Sequence, residues 1–205
     1  MRGLYAVTPD ITDTRLLVRQ VSAAIAGGAG WVQYRNKTAT ADVKLEQAYA
    51  LKSVCNKAGA RLIINDHVEL ALAVDADGVH VGAEDASVHE TRRALGDQKV
   101  IGVSCYDQLA LAVSAQAGGA DYVAFGSFFP SRVKPGAVRA PLNLLSDAKR
   151  QLNVPIVAIG GITVENGASL ITAGASALAV ISALFQVPDV TSAARRFTAL
   201  FEVSR

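Results

Sequence analysis

Residues 26–33 read AGGAGWVQ, residues 74–81 VDADGVHV, residues 117–124 AGGADYVA and residues 173–180 AGASALAV. Each stretch is the end of a helix, a tight turn and the start of a strand. The shared grammar is a repeated αβ connection rather than a sequence repeat proper. It sets the frame for the rest of the chain, because elements joined in this way alternate strand, helix, strand.

Outward from these turns, eight short apolar runs rich in β-branched and aromatic residues read as strands: Gly3–Thr8, Gly30–Arg35, Arg61–Asn65, Gly78–Gly82, Lys99–Ser104, Asp121–Gly126, Pro155–Gly160 and Ala175–Ser182. Their near-continuous apolar character is what a parallel strand needs when it is covered on both faces. The gaps carry helical spacing: Leu17, Val21, Ala24 and Ile25 share one face, as do Ala48, Leu51, Cys55 and Ala58. Gly27–Gly28, Gly59, Gly118–Gly119 and Gly174 stand where left-handed helix ends favour glycine, and Asp107 and Thr163 stand where N-caps would. Strict alternation allows a closed barrel or an open doubly wound sheet. Eight strands in 205 residues with no second-domain segment favour one α/β domain over residues 1–205, a single (β/α)8 TIM barrel.

Composition agrees and excludes other classes. Apolar residues make up 51% and charged residues 19%, enough for a core and unlike a disordered chain. A net charge of +2 without a basic tract gives no footprint for nucleic acid. No apolar run is long enough to span a bilayer, and MRGLYAVTPD lacks the layout of a signal peptide. Cys55 and Cys105 form no ligand cluster, so reduced thiols and a cytoplasmic location are expected. Cys105 as a nucleophile would need a histidine partner that the sequence does not show.

In such a barrel, chemistry gathers at the C-terminal strand ends. Those ends hold Gln33, Arg35 and Lys37 after strand two, Asn65 and Asp66 after three, Asp85 after four and Ser104 on five. Ser131 to Lys134 follow strand six, Gly160–Gly161 strand seven, and Ile181–Ser182 strand eight. The opposite ends hold glycine, proline, Trp31 and single charges without convergence. The asymmetry points to an enzyme. If strand two runs on through Lys37, alternation puts Gln33, Arg35 and Lys37 on one face, where a phosphate would satisfy the cations; a salt-bridged plug is the plainer alternative. Asp66 and Asp85 end adjacent strands, a pairing suited to Mg2+, or each caps the helix that follows. Gly160–Gly161 and Ile181–Ser182 fit a phosphate cup between strands seven and eight. The histidines support no zinc site: His80 reads as a satisfied interior or interface residue, His67 as a helix start and His89 as surface. Trp31 and Tyr34 read as packing between barrel and helices. The longest non-periodic stretch, FFPSRVKPGAVRAP over 128–141, is long enough to be functional, and a lid is one reading.

Taken together, VQYRNK, LIINDHVELALAVDADGVHVGAED, GVSC, ADYVAFGSFFPSRVK, VPIVAIGGI and AVISA closely resemble the thiamine-phosphate synthase family, in order along the whole chain. The resemblance implies an Mg2+-dependent transferase with two small-molecule substrates, an aminopyrimidine carrying a diphosphooxymethyl group and a thiazole phosphate with or without a carboxylate. The products would be thiamine phosphate and pyrophosphate, with CO2 from the carboxylated thiazole. It assigns Gln33 to the pyrimidine, Arg35, Lys37, Asn65 and Lys134 to the diphosphate, and Asp66 and Asp85 to Mg2+. Ser104 falls at the reacting centre beside the catalytic cations Arg35 and Lys134. Ser131, Gly161, Ile181 and Ser182 fall to the thiazole phosphate. The chain departs from the family where Thr-x-Thr-Lys is usual: Ser131 keeps the first hydroxyl, and Val133 loses the second. Tyr34 and Asn36 also differ from the residues usual inside the second-strand motif. The implied partners include neither nucleic acid nor membrane, and leave room for a homo-oligomer. A thiazole tautomerase on the same barrel is the nearest rival, but it would need no diphosphate clamp. A non-catalytic phosphate-ligand sensor would gain nothing from paired carboxylates beside cations.

Overall fold

The structure, a computed structural model, describes residues 1–82, 88–130, 136 and 138–202. Eight parallel strands close into a barrel in sequence order, with β8 pairing back onto β1. The strands are β1 (Gly3–Val7), β2 (Trp31–Tyr34), β3 (Arg61–Asn65), β4 (Gly78–Val81), β5 (Val100–Tyr106), β6 (Tyr122–Phe125), β7 (Ile156–Ile159) and β8 (Ala177–Val180). Between them run α1 (Thr14–Ala26), α2 (Ala41–Ala58), α3 (Val68–Ala73), α4 (Val88–Leu95), α5 (Leu109–Ala117), α6 (Asn143–Gln151) and α7 (Val164–Ala173). After β8 come the short α8 (Ser182–Phe185) and α9 (Val190–Ala199). The closed barrel is thus the expected one, and the open sheet is overturned by the β1–β8 ladder.

Strand alternation sorts the core into two layers. Leu4 and Ala6, Leu62 and Ile64, Val79 and Val81, Ile101 and Val103 point outward under the helices. Tyr5 and Val7, Ile63, Tyr122 and Ala124, Val157, Ala177 and Ala179 point inward and fill the barrel. Ala124 on β6 and Ala177 and Ala179 on β8 are small, which leaves room for the two tyrosines. On β5 a Cβ at Gly102 would overlap the Tyr122 ring, so glycine is what admits that ring. Trp31 belongs to the inner layer and carries the Arg61 guanidinium over its ring at 5.2 Å. That corrects its placement between barrel and helices; alternation from inward Gln33 fixes it. Tyr34 does face the helices, donating to Gln47 Oε1 at 2.9 Å.

Several boundaries differ from the sequence reading. Most strands are a residue or more shorter, whereas β5 runs on to Tyr106 through a register shift after Ser104. Gln108, not Asp107, holds the N-cap position of α5, without a side-chain cap bond. Thr163 caps α7 in a reciprocal pair with Asn166. Ala58 is exposed, one step off the buried face of Ala48, Leu51 and Cys55. Left-handed backbone falls at Gly28, Gly59, Gly119 and Gly174, while Gly27 and Gly118 close their helices with negative φ.

Three of the four αβ turns share a mechanical role. Asp77 Oδ2 accepts from the Leu62 amide at 2.9 Å and from Lys52 at 3.1 Å. Asp121 Oδ2 accepts from the Ile101 amide at 2.7 Å and from Arg92 at 2.6 Å. Ser176 Oγ accepts from the Ile156 amide at 3.4 Å. Each turn therefore pins the start of the preceding strand, at the barrel end away from the rim. Asp121→Ala orphans a strand amide and unpairs Arg92, and is expected to lower stability by roughly 1–3 kcal/mol; chemical denaturation against the parent chain measures it, and an unchanged midpoint would refute the pinning role.

Candidate active site

A cavity of about 490 Å³ opens at the C-terminal mouth of the barrel. Among its walls are Gln33, Arg35, Asn65, Ser104, Gly161, Ile181 and Ser182, which come from β2, β3, β5 and the segments after β7 and β8. These residues are scattered through the chain, and barrel closure brings them to one rim. A smaller cavity of about 210 Å³ adjoins it, lined by Asn36, Lys37, Lys44, Asn65, Asp66 and His67 among others. Asn65 lines both.

The cationic arm after β2 is built differently from a continued strand. The ladder stops at Tyr34. Beyond it the Arg35 amide donates to Thr8 Oγ1 at 2.9 Å, and Thr8 Oγ1 donates to the Arg35 carbonyl at 2.9 Å, so one side chain takes the place of a strand neighbour. Asp10 then receives the Arg35 guanidinium at 3.3 Å and the Lys37 amide at 2.7 Å. Asn36 turns toward the helix layer, donating to Gln47 of α2 and to the Ile11 carbonyl. As a result Arg35 faces the central cavity while Lys37 reaches the smaller one, with its Nζ 3.9 Å from Asp66 Oδ2. The expectation of three side chains on a single strand face is corrected: only Gln33 lies on the strand, and Arg35 and Lys37 flank Asn65 from two cavities.

Asp66 has φ 63°, and its amide donates to the His80 carbonyl at 2.9 Å. An L-residue in the left-handed region is uncommon, and such backbone gathers at functional sites. Asp66 does not cap α3: His67 is the N-cap residue and makes no side-chain cap bond. Asp85, Ser131, Arg132, Val133 and Lys134 lie outside the described residues. The chain leads to them from Gly82, just past β4, and from Pro130, which lines the central cavity. Among the described residues, no group of three or more His, Cys, Asp or Glu side chains is placed to hold a metal. The oxygen donors at the rim still suit a hard ion that completes its shell with water and phosphate, since Mg2+ needs only one or two carboxylates.

Gly160 and Gly161 have φ 101° and 63°, and a Cβ on either would overlap the Ser127–Pro130 backbone or side chains. Both positions therefore demand glycine. They bring the start of α7 close under the loop after β6. Ile181 is the N-cap residue of α8, and Ser182 begins it.

Sequence reasoning missed several wall residues. His80 is an interior residue as expected, yet it also lines the cavity, with Nε2 2.9 Å from Ser104 Oγ. Tyr5, Tyr106, Thr163 and Gln186 line it as well. Extending the strand-end reading to the first strand would have reached Thr8 and Asp10. Cys105 faces away from the cavity, fully buried under the helices.

A sequence model of the family described as thiamine monophosphate synthase matches residues 4–184. The chain belongs to the thiamine monophosphate synthase family. Members similar to it include a thiamine-phosphate synthase of Methylobacillus flagellatus, 53% identical over 98% of this chain and 96% of that protein. One of Nitrosomonas eutropha is 51% identical over 97% and 94%. A solved structure of thiamine phosphate pyrophosphorylase from Pyrococcus furiosus superposes with a TM-score of 0.88 at 34% identity, covering 98% of this chain and 96% of that one. Membership makes the chain an enzyme, a transferase of thiamine biosynthesis. Among the described residues no helix is long and apolar enough to cross a membrane.

Burial pushes the Cys55 and Cys105 thiols up from 9.0 to about 12. A thiol whose folded value is raised adds stability that is complete below the unfolded value and is lost as pH climbs to the folded one. Stability is therefore expected to fall between about pH 9 and 12. Neither thiol should react with a thiol reagent at neutral pH until the chain unfolds; rapid labelling of the native enzyme would contradict this.

Proposed function

We propose that this family member joins an aminopyrimidine bearing a diphosphooxymethyl group to a thiazole phosphate, giving thiamine phosphate and pyrophosphate. CO2 is also released if the thiazole carries a carboxylate. The observation that carries the reading is the meeting of Gln33, Arg35, Asn65, Ser104, Gly161, Ile181 and Ser182 around one cavity. Relatives about half identical over nearly the whole chain are thiamine-phosphate synthases, which favours a synthase over a tautomerase or a sensor.

The reaction is a dissociative substitution. The bond between the methylene carbon and the diphosphate oxygen breaks, and the electron pair leaves with the diphosphate. The aminopyrimidine ring, rich in electrons, stabilises the carbocation. The thiazole nitrogen then donates its lone pair to that carbon. No protein nucleophile is needed. Gln33 holds the pyrimidine, and Ser104 lies where the carbon and the leaving oxygen separate. Arg35, Lys37, Asn65 and Lys134 take up the negative charge that develops on the departing group, and fixed charges in a cavity do so without reorganising. Asp10 aims the arm: its carboxylate holds Arg35 and the Lys37 amide. Gly161, Ile181 and Ser182, with Ser131, receive the thiazole phosphate through backbone and hydroxyl donors.

Asp66 and Asp85 would hold Mg2+, which neutralises the diphosphate when bound. Asp66 stands beside Lys37 and Asn65 at the rim, a position suited to an ion shared with a phosphate. The full chain, residues 1–205, acts as one catalytic barrel in this reading, in the cytoplasm.

Pyrophosphate release measured with both substrates, with and without Mg2+, tests the reading. Activity should require both substrates and the ion. Thiazole phosphate consumed alone would favour a tautomerase. Asp66→Ala and Asp85→Ala should abolish Mg2+-dependent turnover while the far-UV circular dichroism stays that of the parent. Lys134→Ala should lower kcat by about 10²–10³, the usual effect of removing one donor to a developing anion. An unchanged kcat would remove Lys134 from the leaving-group clamp.

A further inference from the structure

Four hydrogen bonds run in series across the barrel interior. Gln33 Nε2 donates to the Tyr5 hydroxyl at 2.9 Å, and the Tyr5 and Tyr122 hydroxyls lie 2.8 Å apart. The Tyr122 hydroxyl is 2.9 Å from His80 Nδ1, and His80 Nε2 is 2.9 Å from Ser104 Oγ. Gln33 and Ser104, the two ends, both face the cavity, on strands three places apart around the barrel. Between them Tyr5, at the cavity floor, and Tyr122, beneath it, are almost wholly buried.

The rings are locked in place. Tyr5 meets Tyr122 edge-on at 6.0 Å, and His80 stacks on Tyr122 at 5.5 Å. Gly102 leaves the space that Tyr122 fills. Burial raises the pKa of both phenols, so each keeps its proton.

Each hydroxyl and the neutral imidazole has one proton to give, and each link uses one. With His80 neutral, only two arrangements fill every link without leaving a buried phenol proton unpaired, which is costly. In the first, Gln33 Nε2 donates to Tyr5, Tyr5 to Tyr122, and Tyr122 to His80 Nδ1. His80 then carries its proton on Nε2 and donates to Ser104, whose own proton is left for the cavity. In the second, Gln33 turns its amide and accepts from Tyr5 through Oε1. Every donor then reverses, His80 is protonated on Nδ1, and Ser104 spends its proton on Nε2 and shows the cavity a lone pair.

We propose that this relay ties the ring group recognised at Gln33 to the hydrogen-bond polarity of Ser104, and so lets the enzyme choose an amino-bearing pyrimidine over its oxo counterpart. The proposal rests on the substrate reading given above. An exocyclic amine donates to Gln33 Oε1, which keeps Nε2 on Tyr5 and the Ser104 proton aimed at the leaving diphosphate. An oxo group needs the Gln33 Nε2 donor. Turning the amide reverses the relay and sets a Ser104 lone pair against an anionic oxygen. A mismatch at one wall is thereby felt as a lost donor at another. Tyr5, Tyr122 and His80 are positioning residues in this scheme.

The test reads the His80 tautomer by 15N NMR in substrate-free protein, at a pH where the ring is neutral. The parent chain should carry the proton on Nε2. In Gln33→Glu, once the introduced carboxylate is ionised by its own 13C signal, the relay can only be accepted at that end, and the proton should move to Nδ1. In the double variant Gln33→Glu, Tyr122→Phe the link is cut, and the proton should stay on Nε2. A single variant that leaves the proton on Nε2, or a double variant that shifts it as the single one does, overturns the relay.

In kinetics, Tyr122→Phe should narrow the kcat/KM preference for the amino over the oxo pyrimidine diphosphate by roughly tenfold. KM for the thiazole phosphate should stay unchanged. Tyr5→Phe, which cuts the same path one link earlier, should do likewise. An unchanged preference in both overturns the specificity role. A tautomer switch in a protein that forms no thiamine phosphate would sink the substrate reading and leave the relay standing.

Discussion

Closure of the parallel sheet is the constraint from which the rest follows. A closed barrel has no edge, so every strand must alternate between a residue that fills the interior and one that packs under a helix. The interior is narrow, and its volume has to be matched by the side chains sent into it. Here the balance is struck by two tyrosines set among Ala124, Ala177, Ala179 and Gly102. Filling a barrel with phenols brings hydroxyls into an apolar space, and a buried hydroxyl without a partner is costly. The pairing of Tyr5 with Gln33 and of Tyr122 with His80 answers that demand. Packing and polar satisfaction are thus one problem in this molecule, and the cavity walls inherit the solution.

The two ends of the barrel divide the work. At the opposite end, Asp77, Asp121 and Ser176 tie the starts of β3, β5 and β7 to the turns that follow them, and Lys52 and Arg92 neutralise the two carboxylates. These groups consume their hydrogen-bonding capacity on the fold. At the open end, Arg35 and Lys37 project from segments that the ladder has already released, and Asp66 sits in left-handed backbone. The sequence shows this asymmetry, since the polar residues converge at one set of strand ends only. What it hides is the reason the other set looks sparse: isolated aspartates there are spent locally.

The fold and the cavity wall were legible for related reasons. Strands buried on both sides give apolar runs, and their C-terminal ends give the rim, so Gln33, Asn65, Ser104, Gly161, Ile181 and Ser182 could be placed from spacing alone. The direction of Lys37 could not. Periodicity assumes that a strand continues, and whether β2 continues past Tyr34 depends on Thr8, a residue distant in sequence. His80 and Tyr5 were obscured by the same logic in reverse. An aromatic or histidine inside a strand reads as core, and these are core; their contact with the cavity comes from strand tilt and register, which exist only after closure.

The Thr8 clasp on Arg35 has a consequence for where the rim's cations are specified. A ladder of amides is indifferent to side-chain identity, whereas this joint is made by one hydroxyl that accepts from the Arg35 amide and donates to the Arg35 carbonyl. The course of the arm that bears Arg35 and Lys37 is therefore written in the side chains of Thr8, Asp10 and Asn36 and not in strand pairing. Substitution at those three positions can redirect the cations while the staves of the barrel keep their register.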